Sequence, residues 1–172
     1  MRYRTKLAIA SGLLMTMSAA SMTAAASEPQ LVGTFGDWAA YARSEGGDQI
    51  CYVMAKPQSK APTNVNHGDV YFMVANWRSG AATEQPSLMT GFSMQDTRPP
   101  AARVGRASFR MFSAQNEAFI ESGDDERRLV RSMRAGSTMR VNAVSQRGTS
   151  VTYNFSLKGV TAALRKSRAA CR

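Results

Sequence analysis

Few side chains in this sequence have the type and spacing to do chemistry. They are two cysteines, Cys51 and Cys171, a single histidine, His67, and the arginines Arg127, Arg131 and Arg134 with Arg140 beyond them. Two cysteines and one histidine fall short of the four ligands of a structural zinc, so no metal site is expected. In an oxidising compartment an even pair of cysteines points to a disulfide, and local patterning puts both on packed faces; two separate buried thiols are the alternative.

His67 lies between Asn66 and Gly68, with Asp69 close by, and a catalytic interpretation would make it the base of a Ser-His-Asp arrangement. No serine stands in a Gly-x-Ser-x-Gly elbow to serve as nucleophile, and a lone loop histidine is more often a turn residue than a base. There is no glycine-rich phosphate loop and no telling pair of carboxylates. A non-catalytic protein without cofactor is therefore expected, with a small hydrolase using His67 as the rival.

Arg127, Arg131 and Arg134 recur at helical spacing, with Arg128 and Arg140 nearby, and could present an anion-binding face to lipid headgroups, lipopolysaccharide or nucleic acid. Each arginine also has a plainer role: Asp124 can pair with Arg127 or Arg128, and Arg134 complements a helix C-terminus. Charge segregation is the broader signal. Residues 27–97 carry four Lys or Arg against seven acids, whereas residues 98–172 carry fifteen against five. No aromatics are interleaved with the arginines, which argues against a dedicated nucleic-acid module. The charge points to an anionic surface as the partner.

The chain opens with Arg2, Arg4 and Lys6, continues through apolar Leu7 to Met17, and reaches Ala24-Ala25-Ala26-Ser27. This is the pattern of a secretory signal peptide, residues 1–26, cleaved after Ala26. A membrane anchor is the rival, but the apolar run is short and rich in Ser, Thr and Ala. Loss of the leader lowers the formal charge from +10 to +7 and leaves residues 27–172 as one domain with no transmembrane segment.

Alternation supplies the elements. Val151, Tyr153, Phe155 and Leu157 alternate with Ser150, Thr152, Asn154 and Ser156, which is the period of a strand with one wet face. Ser137 to Gln146 does the same through Met139, Val141 and Ala143 until Val144 breaks it, and Gln146-Arg147-Gly148 joins the two as a hairpin. Upstream, strands are expected over Leu31–Tyr41, Gln49–Lys56, Val70–Trp77, Leu88–Met94, Phe109–Ser113 and Ala118–Glu121, with Pro57–Gly68 and Asp96–Ala102 as loops. The run Val70–Trp77 suits a strand covered on both sides. Ser122 caps a helix whose first turn is acidic and which Gly136 stops. Val160, Leu164, Ser167 and Cys171 share one face of a terminal helix. The expected fold class is all-β: an antiparallel sandwich or flattened barrel of about eight strands with one internal short helix and a C-terminal helix, an α+β sheet being the runner-up.

Taken in order, Gly36-Asp37-Trp38, Ile50-Cys51-Tyr52 with Lys56-Pro57, Asn64-Val65-Asn66 before Val70-Tyr71-Phe72, and Met133-Arg134-Ala135-Gly136-Ser137 form a series. It continues through Arg147-Gly148-Thr149, Phe155-Ser156-Leu157 with Gly159, and Thr161-Ala162-Ala163-Leu164 leading to Cys171. In order and spacing this series resembles the invasion associated locus B family of exported alphaproteobacterial proteins. The resemblance implies a periplasmic or secreted interaction protein, associated with host-cell entry and the envelope, rather than an enzyme. Its expected partner is an anionic component of the envelope or of a host-cell surface, or an envelope protein, and a purely structural role in maintaining the envelope is a further alternative. Some members carry a cysteine four residues after the tryptophan, where this chain has Ala42, so the resemblance leaves Cys171 as the partner of Cys51.

Overall fold

The computed structural model describes residues 27–172; the leader expected over residues 1–26 lies outside the described residues. Eleven strands and two helices follow in chain order. They are β1 (Gln30–Phe35), β2 (Trp38–Glu45), β3 (Asp48–Ala55), β4 (Ser59–Ala61), β5 (Tyr71–Trp77), β6 (Gln85–Met89), β7 (Ala101–Val104), β8 (Ala107–Ala114), β9 (Glu117–Ile120), α1 (Gly123–Ala135), β10 (Thr138–Val144), β11 (Ser150–Ser156) and α2 (Val160–Ala170). Neighbouring strands run antiparallel in the order β1-β2-β3-β5-β6-β9-β8-β7-β10-β11-β4.

This row of strands doubles over at β8. Ala107–Arg110 pair with β7, and Met111–Ala114 pair with β9, so one strand begins in the second layer and ends in the first. The result is an open, sandwich-like arrangement with β1 and β4 at its free edges. Inward-facing residues of both layers meet: Phe72 of β5 contacts Phe155 of β11 edge to face at 5.8 Å, and both are fully buried. The predicted period of β11 is realised, with Val151, Tyr153, Phe155 and Leu157 all buried.

The strand count exceeds the expected eight by three, for local reasons. The expected strand Leu31–Tyr41 is two strands, folded back at Gly36-Asp37. The loop Pro57–Gly68 contains β4, three residues that pair with β11 at the sheet edge. The loop Asp96–Ala102 gives way at Ala101 to β7, too short to show a period. The strand expected over Leu88–Met94 instead spans Gln85–Met89, and Gly91 lies beyond it at a close approach of backbones. A Cβ on Gly91 would sit 2.7 Å from the Gly68 Cα and 2.8 Å from the His67 carbonyl oxygen.

The motif residues serve these contacts. Trp38 is fully buried and its Nε1–H donates to the Ser156 carbonyl at 2.9 Å, while the Asp37 N–H donates to the Lys158 carbonyl at 3.1 Å. The β1–β2 turn is thereby bound to the end of β11. Helix α1 begins as its sequence predicts: the Ser122 Oγ accepts from the Asp125 N–H, and Leu129, Val130 and Met133 are buried. Helix α2 buries Val160, Ala163, Leu164 and Ser167, and Cys171 just beyond it is bonded to Cys51 of β3.

Candidate interaction surfaces

His67 is buried, 7% exposed, and both ring nitrogens are occupied. Nε2 lies 2.8 Å from the Pro62 carbonyl, which can only accept, so Nε2 carries the proton. Nδ1 is then the acceptor for the Tyr153 hydroxyl at 3.1 Å. Burial pushes the Tyr153 phenol far above its ordinary range, which keeps that donor protonated. Asp69 accepts instead from the Tyr71 hydroxyl, at 3.4 Å. Histidine and aspartate thus do not form the base–orienter pair of a triad, and His67 acts as a tie between a loop and the core. Among the described residues no three His, Cys, Asp or Glu side chains gather as metal ligands.

The predicted arginines fall into two groups. Arg127 pairs with Asp124 and Arg128 with Asp125 along α1, and Arg134 reaches Glu84 at the start of the first layer's β6. These pairs are solvent-accessible, so each contributes little to stability while screening the charge it involves. Arg131 forms no ion pair among the described residues. Arg140 stands apart from the helix, on the solvent face of β10.

Register shows what surrounds Arg140. Its Cα partner on β7 is Arg103, and its partner on β11 is Asn154. Across the second layer one outward row therefore reads Ser59, Asn154, Arg140, Arg103, Ser108. The next row reads Ala61, Thr152, Asn142, Ala101, Arg110. The five strands β4, β7, β8, β10 and β11 contain no carboxylate at all. The Arg140 Nε donates to the Asn154 Oδ1 at 3.1 Å, the Asn154 Nδ2 donates to the Ser59 Oγ at 2.9 Å, and the Thr152 hydroxyl donates to the Asn142 Oδ1 at 2.9 Å.

The outer face of the first layer has the opposite chemistry. Its rows are Arg43, Ile50, Trp77; then Tyr41, Tyr52, Ala75, Gln85; then Ala39, Met54, Met73, Ser87, Phe119, Phe112. Small Ala75 and Ser87 lie between large neighbours, leaving a hollow of about 350 Å³. Tyr41 stacks on Tyr52 at 5.5 Å, and Phe112, 46% exposed, tilts against Phe119 at 5.8 Å. The expectation that Val70–Trp77 is covered on both sides is thereby corrected. Phe72, Val74 and Asn76 face the core, whereas Tyr71, Met73, Ala75 and Trp77 are only partly buried, on a face that no helix among the described residues covers.

Sequence reasoning missed Arg103 and this apolar face. An isolated arginine in a four-residue strand carries no periodic signal, and an all-apolar strand looks the same whether one or both of its faces are covered. No helix among the described residues is long and apolar enough to cross a membrane.

No curated protein and no solved structure matches the chain. The family model described as the invasion associated locus B (IalB) protein matches residues 38–168, from the buried Trp38 to the last turn of α2. The chain belongs to the invasion associated locus B family.

Proposed function

We propose that the chain is an exported, non-catalytic interaction protein whose cationic surface engages an anionic component of the bacterial envelope or of a host-cell surface. In this role it contributes to host-cell association. Family membership, the expected leader over residues 1–26 and a disulfide suited to an oxidising compartment support export. The burial and full hydrogen bonding of His67 support a binding role over a hydrolytic one. The observation that carries the proposal is the pair Arg140 and Arg103, directly opposed on a sheet face whose strands hold no acid. Arg127, Arg131 and Arg134 belong to the same proposal as an auxiliary group, of which Arg127 and Arg134 already face carboxylates.

The test is association of the exported chain with isolated envelopes and with host cells. The double reversal Arg103→Glu/Arg140→Glu should abolish most of it, and the triple reversal at Arg127, Arg131 and Arg134 should weaken it less. His67→Gln should leave it intact once folding is verified. A phenotype lost with His67→Gln in a folded, exported protein would favour the hydrolase. A second reading, docking onto an envelope protein, is favoured by the open apolar face of the first layer. It predicts association that persists in high salt and fails when Met73→Asp places a charge on that face.

A further inference from the structure

We propose that the outer face of the second layer is a binding site for an anionic polysaccharide, centred on Arg103 and Arg140. This rests on the reading above and names the chemistry of the partner.

Like charges directly opposite on adjacent strands destabilise a sheet. Here Arg140 opposes Arg103, and Arg110, the partner of Ala101, is the diagonal neighbour of Arg103. Among the described residues the one carboxylate that pairs with this group is Glu121, 3.5 Å from the Arg110 Nε, and both side chains of that pair are more than half exposed. Among the described residues no carboxylate pairs with Arg103 or Arg140. A bound anion would.

The guanidinium of Arg140 is also held ready. Asn154, itself anchored on Ser59, accepts a hydrogen bond from the Nε–H and so fixes the plane of the group, while the two terminal nitrogens form no hydrogen bond within the described residues. That is the fork which grips a carboxylate or sulfate through two parallel bonds. Arg98 is held in the same way: its Nε donates to the Gln95 Oε1 at 2.8 Å. Arg98 stands at the rim of a shallow hollow lined by Asn142, Ser150 and Thr152 together with the apolar Pro99, Val144 and Val151, of about 260 Å³. Two arginines, each tethered through Nε by a side-chain amide, thus border one face.

The rest of that face decides between polyanions. Insertion into a lipid surface needs apolar side chains projecting among the cations, and the two rows offer only Ala61 and Ala101. Single-stranded nucleic acid needs aromatic platforms, and the rows contain none. What they do contain is Ser, Thr and Asn, which donate and accept as a hydroxyl-rich chain requires. Five strands at about 4.8 Å spacing give the arginine row a length of roughly 19 Å, enough for a short oligosaccharide. The hollow beside Arg98 has the size for a single sugar ring, whose apolar face Pro99 and Val151 would meet.

The experiment measures binding of the exported chain to dextran sulfate and to polygalacturonate, with neutral dextran and phosphatidylglycerol vesicles as comparisons. Both charged polymers should bind and dextran should not. Arg103→Ser/Arg140→Ser should weaken polymer binding by about tenfold or more, because charge-assisted hydrogen bonds are lost. Asn154→Ala, which only frees Arg140, should weaken it by about threefold; cooperative melting transitions would show that these variants fold. Binding to vesicles but to neither polymer overturns the polysaccharide assignment and leaves the broader anionic-surface reading standing. Equal binding by the double arginine variant overturns the assigned face. Failure to bind polymers, vesicles and envelopes alike overturns both.

Discussion

Phe72 and Phe155 come from opposite layers and meet edge to face with ring centroids 5.8 Å apart, neither exposed to solvent. Such a pair adds to its area burial the electrostatics of a ring edge against a ring face. Phe155→Ala should therefore cost about 3 to 5 kcal/mol, as removal of a buried aromatic does. Asn154→Ala, one residue away on the wet face, should cost under about 1 kcal/mol, since its hydrogen bonds are exposed. Denaturant unfolding of the two variants checks this; equal costs would mean that the two faces of β11 are not distinguished.

The Cys51–Cys171 bond joins the third strand to the end of the last helix across 120 residues of sequence. In the chain-entropy model, closing a loop of that length contributes about 4 to 5 kcal/mol. Reduction, or Cys171→Ser, should lower stability by a few kcal/mol, and non-reducing peptide mapping should recover the linked pair. Two free thiols in the native exported protein would contradict it.

Gly91 has no room for a side chain. Its Cβ would press on the backbone at Gly68 and His67, which no rotamer change can relieve. Gly159 is tighter still: at φ +92° its Cβ would fall 1.9 Å from the Phe35 carbonyl oxygen, where the β1–β2 turn meets the start of α2. Alanine at either site should be strongly destabilising in thermal melts. Alanine at Gly46, whose Cβ would meet nothing within 4 Å, should cost only the strain of its positive φ, roughly 1 kcal/mol.

Burial raises the phenols of Tyr153 and Tyr52 above their ordinary 10.0. The folded state thus keeps two protons that the unfolded chain gives up near pH 10. The stability tied to them is fully present below that pH and is lost as pH rises above it. Melting temperature should fall steeply above about pH 10, and Tyr153→Phe should flatten part of that fall. A profile as steep in the variant as in the parent would place the alkaline sensitivity elsewhere.

The parts of this fold that sequence reveals are those with a local signature. The β10–β11 hairpin shows in the alternation from Met139 to Leu157, α1 in the Ser122 cap and the Leu129, Val130, Met133 stripe, and α2 in the spacing that carries Val160 and Leu164 to Cys171. What stayed hidden depends on distant partners. The strand β4 exists because Lys60 meets Tyr153 at a sheet edge, and the opposition of Arg140 and Arg103 is set by a pairing between strands that α1 separates in sequence. Helical spacing drew attention to Arg127, Arg131 and Arg134, yet the face free of acids is formed by strands. Its cations are invisible until register aligns them.

The most direct test of the central claim is the affinity of the exported chain for isolated envelopes measured across a salt series. Binding through Arg103, Arg140 and their neighbours should weaken steeply between about 50 and 200 mM salt as charges are screened, and Arg103→Glu/Arg140→Glu should remove most of the binding and flatten its salt dependence. Affinity that stays constant across the series, and survives in the double variant, would contradict an electrostatic role for this face.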